Sequence, residues 1–143
     1  MSHVVSIRMK ENQVERLRRL SRRLGRTPSE VGALLIEEAL RQSEFAFIDF
    51  RDSPAGRQAY VKGTALAVWE VALVAESFQD DPEKTAQHLG WPVHLVRAAL
   101  AYRDAYPEEV RLAIEDNQAY TPAALQRLLP QTETLPPYPS ESD

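Results

Sequence analysis

Ser6, Arg8 and Lys10 are the residues whose types and spacing best suit chemistry, and that chemistry is hydrogen bonding, not catalysis. They alternate with Val5, Ile7 and Met9, the period of a half-buried strand. Alternation puts the three apolar side chains on one face and Val4, Ser6, Arg8 and Lys10 on the other. A two-stranded ribbon fits the major groove of double-stranded DNA, where arginine is the commonest bidentate reader of guanine. An alternating segment with one arginine is, by itself, only a half-solvated strand. Its meaning depends on the elements that follow.

Catalytic groups are not arranged as chemistry needs them. The chain has no cysteine, which excludes disulfides, thiol nucleophiles and cysteine-based zinc sites. His3, His88 and His94 are too scattered for a metal motif. Asp80-Asp81 and Glu108-Glu109 are adjacent pairs, so on a helix each pair diverges, and they suit helix N-termini better. There is no glycine-rich phosphate loop and no nucleophile–base set. The expectation is a protein that is not an enzyme, with no cofactor and no metal.

The elements that position Arg8 are two helices. Val14, Leu17, Leu20 and Leu24 recur at helical spacing, with Arg16, Arg18, Arg19, Arg22 and Arg23 directed elsewhere. Gly25 suits a helix end in the left-handed conformation. Thr27-Pro28-Ser29-Glu30 opens the next helix, with Thr27 as cap, Pro28 at the first position and Glu30 completing a capping box. The lone strand has no partner nearby in sequence and cannot satisfy its own backbone. One strand and two helices also bury too little surface to be stable alone. Both problems vanish if two chains pair their strands across a two-fold axis. The prediction is a homodimer joined through the N-terminal strand, with Val5, Ile7 and Met9 over the helices.

VSIRM, the helix end at Leu24-Gly25-Arg26 and the TPSEV start together resemble the ribbon-helix-helix family of dimeric DNA-binding repressors. The resemblance covers about the first third of the chain. It implies that Ser6 and Arg8 read bases and that the turn from Thr27 to Ser29 holds a phosphate. The positive end of a helix would favour an anion there in any case. Val4 departs from the pattern, because an apolar outer residue can touch a thymine methyl but adds no hydrogen bond.

The net charge of −4 does not announce a nucleic-acid binder, but it hides a division. Residues 1–44 hold nine Lys or Arg against six Asp or Glu, and residues 45–143 hold eight against fifteen. Only the front of the chain suits phosphate. No apolar run approaches membrane-spanning length and no apolar signal core opens the chain, so a cytoplasmic location is expected, with no membrane contact.

After Gln42 the pattern changes. Residues 43–50 and 56–62 are aromatic-rich and strand-prone, and Asp52-Ser53-Pro54-Ala55-Gly56 between them is made of turn formers. They predict a hairpin that opens a second domain, with Phe45, Phe47, Phe50 and Tyr60 in its core. An apolar helix is expected from about 67 to 78, then PEKTAQHL up to Gly90, then VHLVRAALAYRDAY up to Pro107. Ala86, Gly90 and Val96 fall where a helix-turn-helix needs a small residue, a turn glycine and an apolar contact. Its outer positions are Pro92, Val93, His94, Arg97, Ala98 and Ala101, of which only His94 and Arg97 can hydrogen-bond to a base edge. The flanking acids repel nucleic acid, so this face suits a protein partner better than DNA.

AYVKGTALAVWEV and TAQHLGWPVHLVRAALAYRDAYPEEV resemble a second family, a domain of unknown function with VapB-type antitoxins among its members. The resemblance covers roughly residues 45–117. It implies a winged-helix-like fold and a partner toxin, often a PIN-class, metal-dependent ribonuclease. A final helix over Pro107 to Gln118 has Val110, Ala113 and Ile114 inward. Beyond it, a short helix AALQRLL and a proline-rich end are marginal alone and suit folding on a partner. Leu125, Leu128, Leu129, Leu135 and Tyr138 are the candidate anchors. Arg127 is the candidate plug for the carboxylate cluster that the family resemblance implies in the toxin. A frayed terminus is the plain alternative.

The fold class expected is mainly α with short β. It comprises a ribbon-helix-helix over residues 1–43, a small winged helix-turn-helix domain with a β-hairpin over 44–118, and a partner-binding tail over 119–143. The function expected is that of an antitoxin of a type II toxin–antitoxin system. It would bind operator DNA as a dimer, neutralise a cognate toxin and repress its own operon. The alternatives are a stand-alone dimeric transcriptional repressor and a module whose strands pair without reading sequence.

Overall fold

A computed structural model describes residues 2–118, which form six helices and one two-stranded antiparallel sheet. The order is α1 (Glu11–Leu24), α2 (Pro28–Glu44), β1 (Ile48–Ser53), β2 (Gly56–Val61), α3 (Val68–Glu76), α4 (Pro82–Leu89), α5 (Val93–Ala105) and α6 (Pro107–Gln118). The protein is mainly helical with a short antiparallel sheet, as its periodicities predict. It divides into two compact units, one ending at Ala65 and one beginning at Leu66. No helix among the described residues is long and apolar enough to cross a membrane.

In the first unit, α1 stops where Gly25 takes φ 65° and ψ 32°. The Gly25 amide donates to the Arg22 carbonyl and the Arg26 amide to the Ser21 carbonyl, which closes the helix end. Thr27 caps α2, its Oγ1 accepting from the Glu30 amide at 3.2 Å, which is the Thr27 half of the predicted capping box. Pro28 occupies the first helical position.

The hairpin pairs Ile48 with Val61 and runs to Ser53 opposite Gly56, so the loop tightens to Pro54-Ala55. Alternation puts Ile48, Phe50, Ala59 and Val61 on one face, of which Ile48, Ala59 and Val61 are buried. On the other face the Arg51 guanidinium lies 4.8 Å from the centre of the Tyr60 ring and holds Asp49 and the Thr64 carbonyl. The predicted aromatic core is corrected here. Phe45, Phe50 and Tyr60 are only half-buried and Phe47 is 46% exposed. Phe47 sits at φ 61°, where its carbonyl accepts from the Lys62 amide beyond the last ladder pair.

The expected domain boundary between residues 43 and 44 also differs from the structure. The hairpin belongs with α1 and α2, in the unit that ends at Ala65, and does not open the second unit. The physical reason is an ion pair. Glu38 on α2 is 5% exposed, and its carboxylate accepts a fork of hydrogen bonds from Arg57 on β2. These bonds hold the Arg57 guanidinium above its ordinary pKa, against the opposing effect of burial. Asp52 on β1 holds Arg57 from its other side at 3.3 Å, and Arg23 on α1 stands 4.0 Å from Asp52.

Helices α3–α6 make the second unit. Its core is Ala67, Val68, Val71, Ala72, Ala75, Ala86, Val96, Ala99, Leu100, Tyr102 and Val110, all nearly inaccessible. Val110 is buried and Ala113 and Ile114 are half-buried, as expected for α6. Asp81 caps α4 by accepting from the Glu83 and Lys84 amides. Gly90 ends α4 at φ 70°. Ala86 on α4 is 4% exposed and Val96 on α5 is fully buried.

Arg57→Ala is expected to destabilise the first unit, because the Glu38 carboxylate stays buried without its donor, at a cost of about 1–3 kcal/mol. Asp52→Asn, at an exposed carboxylate, should shift the thermal unfolding midpoint far less. Calorimetry of both variants checks the difference.

Candidate nucleic-acid interface

Residues 2–9 form no helix and no strand with any described part of their own chain. Exposure along the apolar face falls from 78% at Val5 to 61% at Ile7 and 40% at Met9, and Val4 is 96% exposed. Ser6 and Arg8 are exposed as well. Lys10 is the N-cap of α1, with φ −71° and ψ 153°, and its amide donates to Gln13 Oε1 at 3.0 Å. That bond fixes where the segment leaves the helix. The side chains of Ser6 and Arg8 therefore stand on a stretch with its backbone available for pairing.

The turn expected to hold phosphate is also exposed. Pro28 has no amide hydrogen, the Glu30 amide is taken by Thr27 Oγ1, and the Val31 amide by the Thr27 carbonyl. The Ser29 amide and hydroxyl are the donors left to an anion in this first turn. Thr27 Oγ1 accepts from the Glu30 amide as cap, so that amide is not free for the phosphate that the resemblance implies. The Glu30 carboxylate in the same turn opposes a phosphate, and the compensating charge comes from Arg22, Arg23 and Arg26 just before it.

Sequence reasoning missed the apolar surface of α2. Leu35, Ile36 and Leu40 are 38%, 47% and 51% exposed. Ser29, Gly32, Ala33, Ile36 and Leu40 lie on the side of α2 opposite Val31 and Glu38, at helical spacing. The signal was present: the apolar residues of α2, Val31, Leu34, Leu35, Ile36 and Leu40, spread over more than one face of the helix. Of the nine exposed large hydrophobic residues among those described, eight lie in the first unit and only Leu112 in the second.

His94 and Arg97 are both exposed on α5. Arg97 Nη2 lies 3.8 Å from Glu83 Oε1, both side chains well exposed, so a carboxylate stands beside the arginine that would meet DNA. Arg103 is similarly occupied by Asp80 and Asp104. Among the described residues no three His, Asp or Glu side chains are grouped to hold a metal ion. Leu125, Arg127, Leu128, Leu129, Leu135 and Tyr138 lie outside the described residues.

Comparison with protein-family models, with curated proteins and with solved structures finds no match to this chain.

Ile7→Asp is expected to weaken self-association by about tenfold or more, a loss of at least ~1.4 kcal/mol. Val4→Asp, on the opposite face of the segment, should leave it nearly unchanged. Sedimentation equilibrium across micromolar concentrations distinguishes them.

Proposed function

We propose that the chain is a dimeric DNA-binding repressor of ribbon-helix-helix type that also serves as the antitoxin of a type II toxin–antitoxin pair. The observation that carries the dimer is the concentration of uncovered apolar side chains in the first unit, with an unpaired strand-prone segment at its start. Pairing two such segments covers Val5, Ile7 and Met9 and turns Ser6 and Arg8 outward on a ribbon of groove-filling width. The Ser29 donors at the start of α2 would then fix the ribbon on the phosphate backbone.

The antitoxin part rests on the resemblance of residues 45–117 and on the apolar and cationic residues of the tail. In this reading the tail, through Leu125, Arg127, Leu128, Leu129, Leu135 and Tyr138, engages a cognate PIN-class ribonuclease. The toxin–antitoxin complex represses its own operon in the cytoplasm. One observation favours the second reading, a stand-alone dimeric repressor. Among its described residues the second unit exposes just one large hydrophobic side chain, Leu112, and so offers little apolar surface to a partner.

Two experiments test the proposal. Arg8→Ala should remove roughly 1–3 kcal/mol of preference for the DNA upstream of the gene over a scrambled duplex, the scale of one bidentate contact. Unchanged preference in a gel shift means that the ribbon is not the reader. Co-expression with the adjacent gene product should rescue growth and yield a co-purifying complex. Cutting after Gln118 should abolish rescue while leaving the gel shift intact. A neighbour that is harmless alone and does not co-purify leaves the repressor without a toxin.

A further inference from the structure

Between Arg16 and Ser29 the chain has six arginines and no acidic residue. Arg16, Arg18, Arg19, Arg22 and Arg23 stand on α1 and Arg26 follows its closing turn, all exposed. Other helices of this protein neutralise their arginines. On α2, Arg41 holds Glu37 at 2.8 Å, and on α6, Arg111 is held between Glu108 and Glu115. On α1, Arg19 holds Glu15 at 2.7 Å and Arg23 stands near Asp52. Arg16, Arg18, Arg22 and Arg26 have no carboxylate within ion-pair distance among the described residues.

Helix stability does not call for this arrangement. Arg18 and Arg22 are one turn apart, as are Arg19 and Arg23, and like charges at that spacing cost a few tenths of a kcal/mol each. The helix dipole favours cations in the last turn, which accounts for Arg22 and Arg23 but not for Arg16, Arg18 or Arg19. All six are arginine, the side chain whose planar fork fits phosphate. Arg22 and Arg26 flank the turn before Ser29, where the Glu30 carboxylate by itself would repel an anion.

We propose that the outer face of α1 and the turn after it, through Arg18, Arg22 and Arg26, form a sequence-blind track for the DNA phosphate backbone beside the groove that the ribbon enters. The proposal rests on the dimeric DNA-binding reading above and adds a second binding region to it. Ribbon residues set the choice of sequence. The track supplies affinity by releasing counterions, equally on every duplex.

The test uses the full chain and fluorescein-labelled duplexes, one from the region upstream of its gene and one scrambled, of equal length. Dissociation constants are measured between about 50 and 200 mM salt, the range over which phosphate binding weakens steeply, for the parent and for the triple variant Arg18→Gln, Arg22→Gln, Arg26→Gln. These three were chosen because none holds a carboxylate that ties the fold together, and an unchanged melting curve verifies that the variant folds. The expected result is a salt slope smaller by about 0.9 for each phosphate no longer neutralised, up to about 2.7 for the three. Both duplexes should weaken by the same factor, so the preference between them is kept. An unchanged slope overturns the proposal, as does a weakening confined to the upstream duplex. Unlabelled single-stranded RNA that competes with the parent as well as duplex DNA does, and no longer competes with the variant, also overturns it. Failure of the ribbon is read separately: Arg8→Ala then leaves sequence preference intact while the triple variant still flattens the slope.

Discussion

An apolar surface that one copy cannot cover governs the first unit. Val5, Ile7, Met9, Leu35, Ile36 and Leu40 are each between 38% and 78% exposed. The buried apolar side chains of the same unit are only Val31, Ile48, Ala59 and Val61 among the described residues. Full burial of one large aliphatic side chain contributes about 1.5–3 kcal/mol. Completing the burial of six that are already partly covered is therefore worth roughly 5 kcal/mol per copy, or roughly 10 for a pair. Association costs about 4–15 kcal/mol in lost freedom of motion. Apolar burial and the cost of association are thus of the same order, and backbone hydrogen bonds between two paired segments would add to the burial. An N-terminal segment with no strand partner among the described residues of its own chain is what such a pairing requires.

The hairpin enters this arrangement through charge. Glu38 lies on the α2 face that carries Val31, and apolar side chains occupy the opposite face. A carboxylate so deeply buried needs a donor, and Arg57 supplies it with a fork of hydrogen bonds. Such a pair contributes less net stability than its geometry suggests, because both groups lose water. Its clearer effect is positional. Arg57 has one register on β2, opposite Asp52, so the hairpin can dock on α2 in one way. The side of α2 bearing Ile36 and Leu40 is left for a different neighbour.

Legibility in the sequence followed the range of the forces involved. Helix ends were readable because Gly25, Thr27, Asp81 and Gly90 act on their own few residues, and the structure uses all four. Ala86 and Val96 were readable as inward positions of their helices, and both are buried. The unit boundary was not, because it depends on Glu38 meeting Arg57 across nineteen residues. Aromatic residues at strand spacing suggested a core, yet the small residues Ala59 and Val61 fill the buried positions and leave Phe47 outside. The apolar back of α2 was overlooked for a related reason. A helix apolar on both sides resembles an ordinary buried helix until its neighbours are known. At the candidate interface, the cap at Thr27 was legible from Thr27-Pro28-Ser29-Glu30, whereas the exposure of Val5 and Ile7 appears only with coordinates.

The two units differ in how they place their arginines. The second unit's Arg97, Arg103 and Arg111 each face at least one carboxylate. A phosphate approaching them would have to displace a partner and enter a negative field. The first unit concentrates arginines where acids are absent and accepts repulsion between neighbours along α1. On the DNA-binding reading proposed above, this asymmetry would steer the first unit, rather than the second, toward a phosphate backbone.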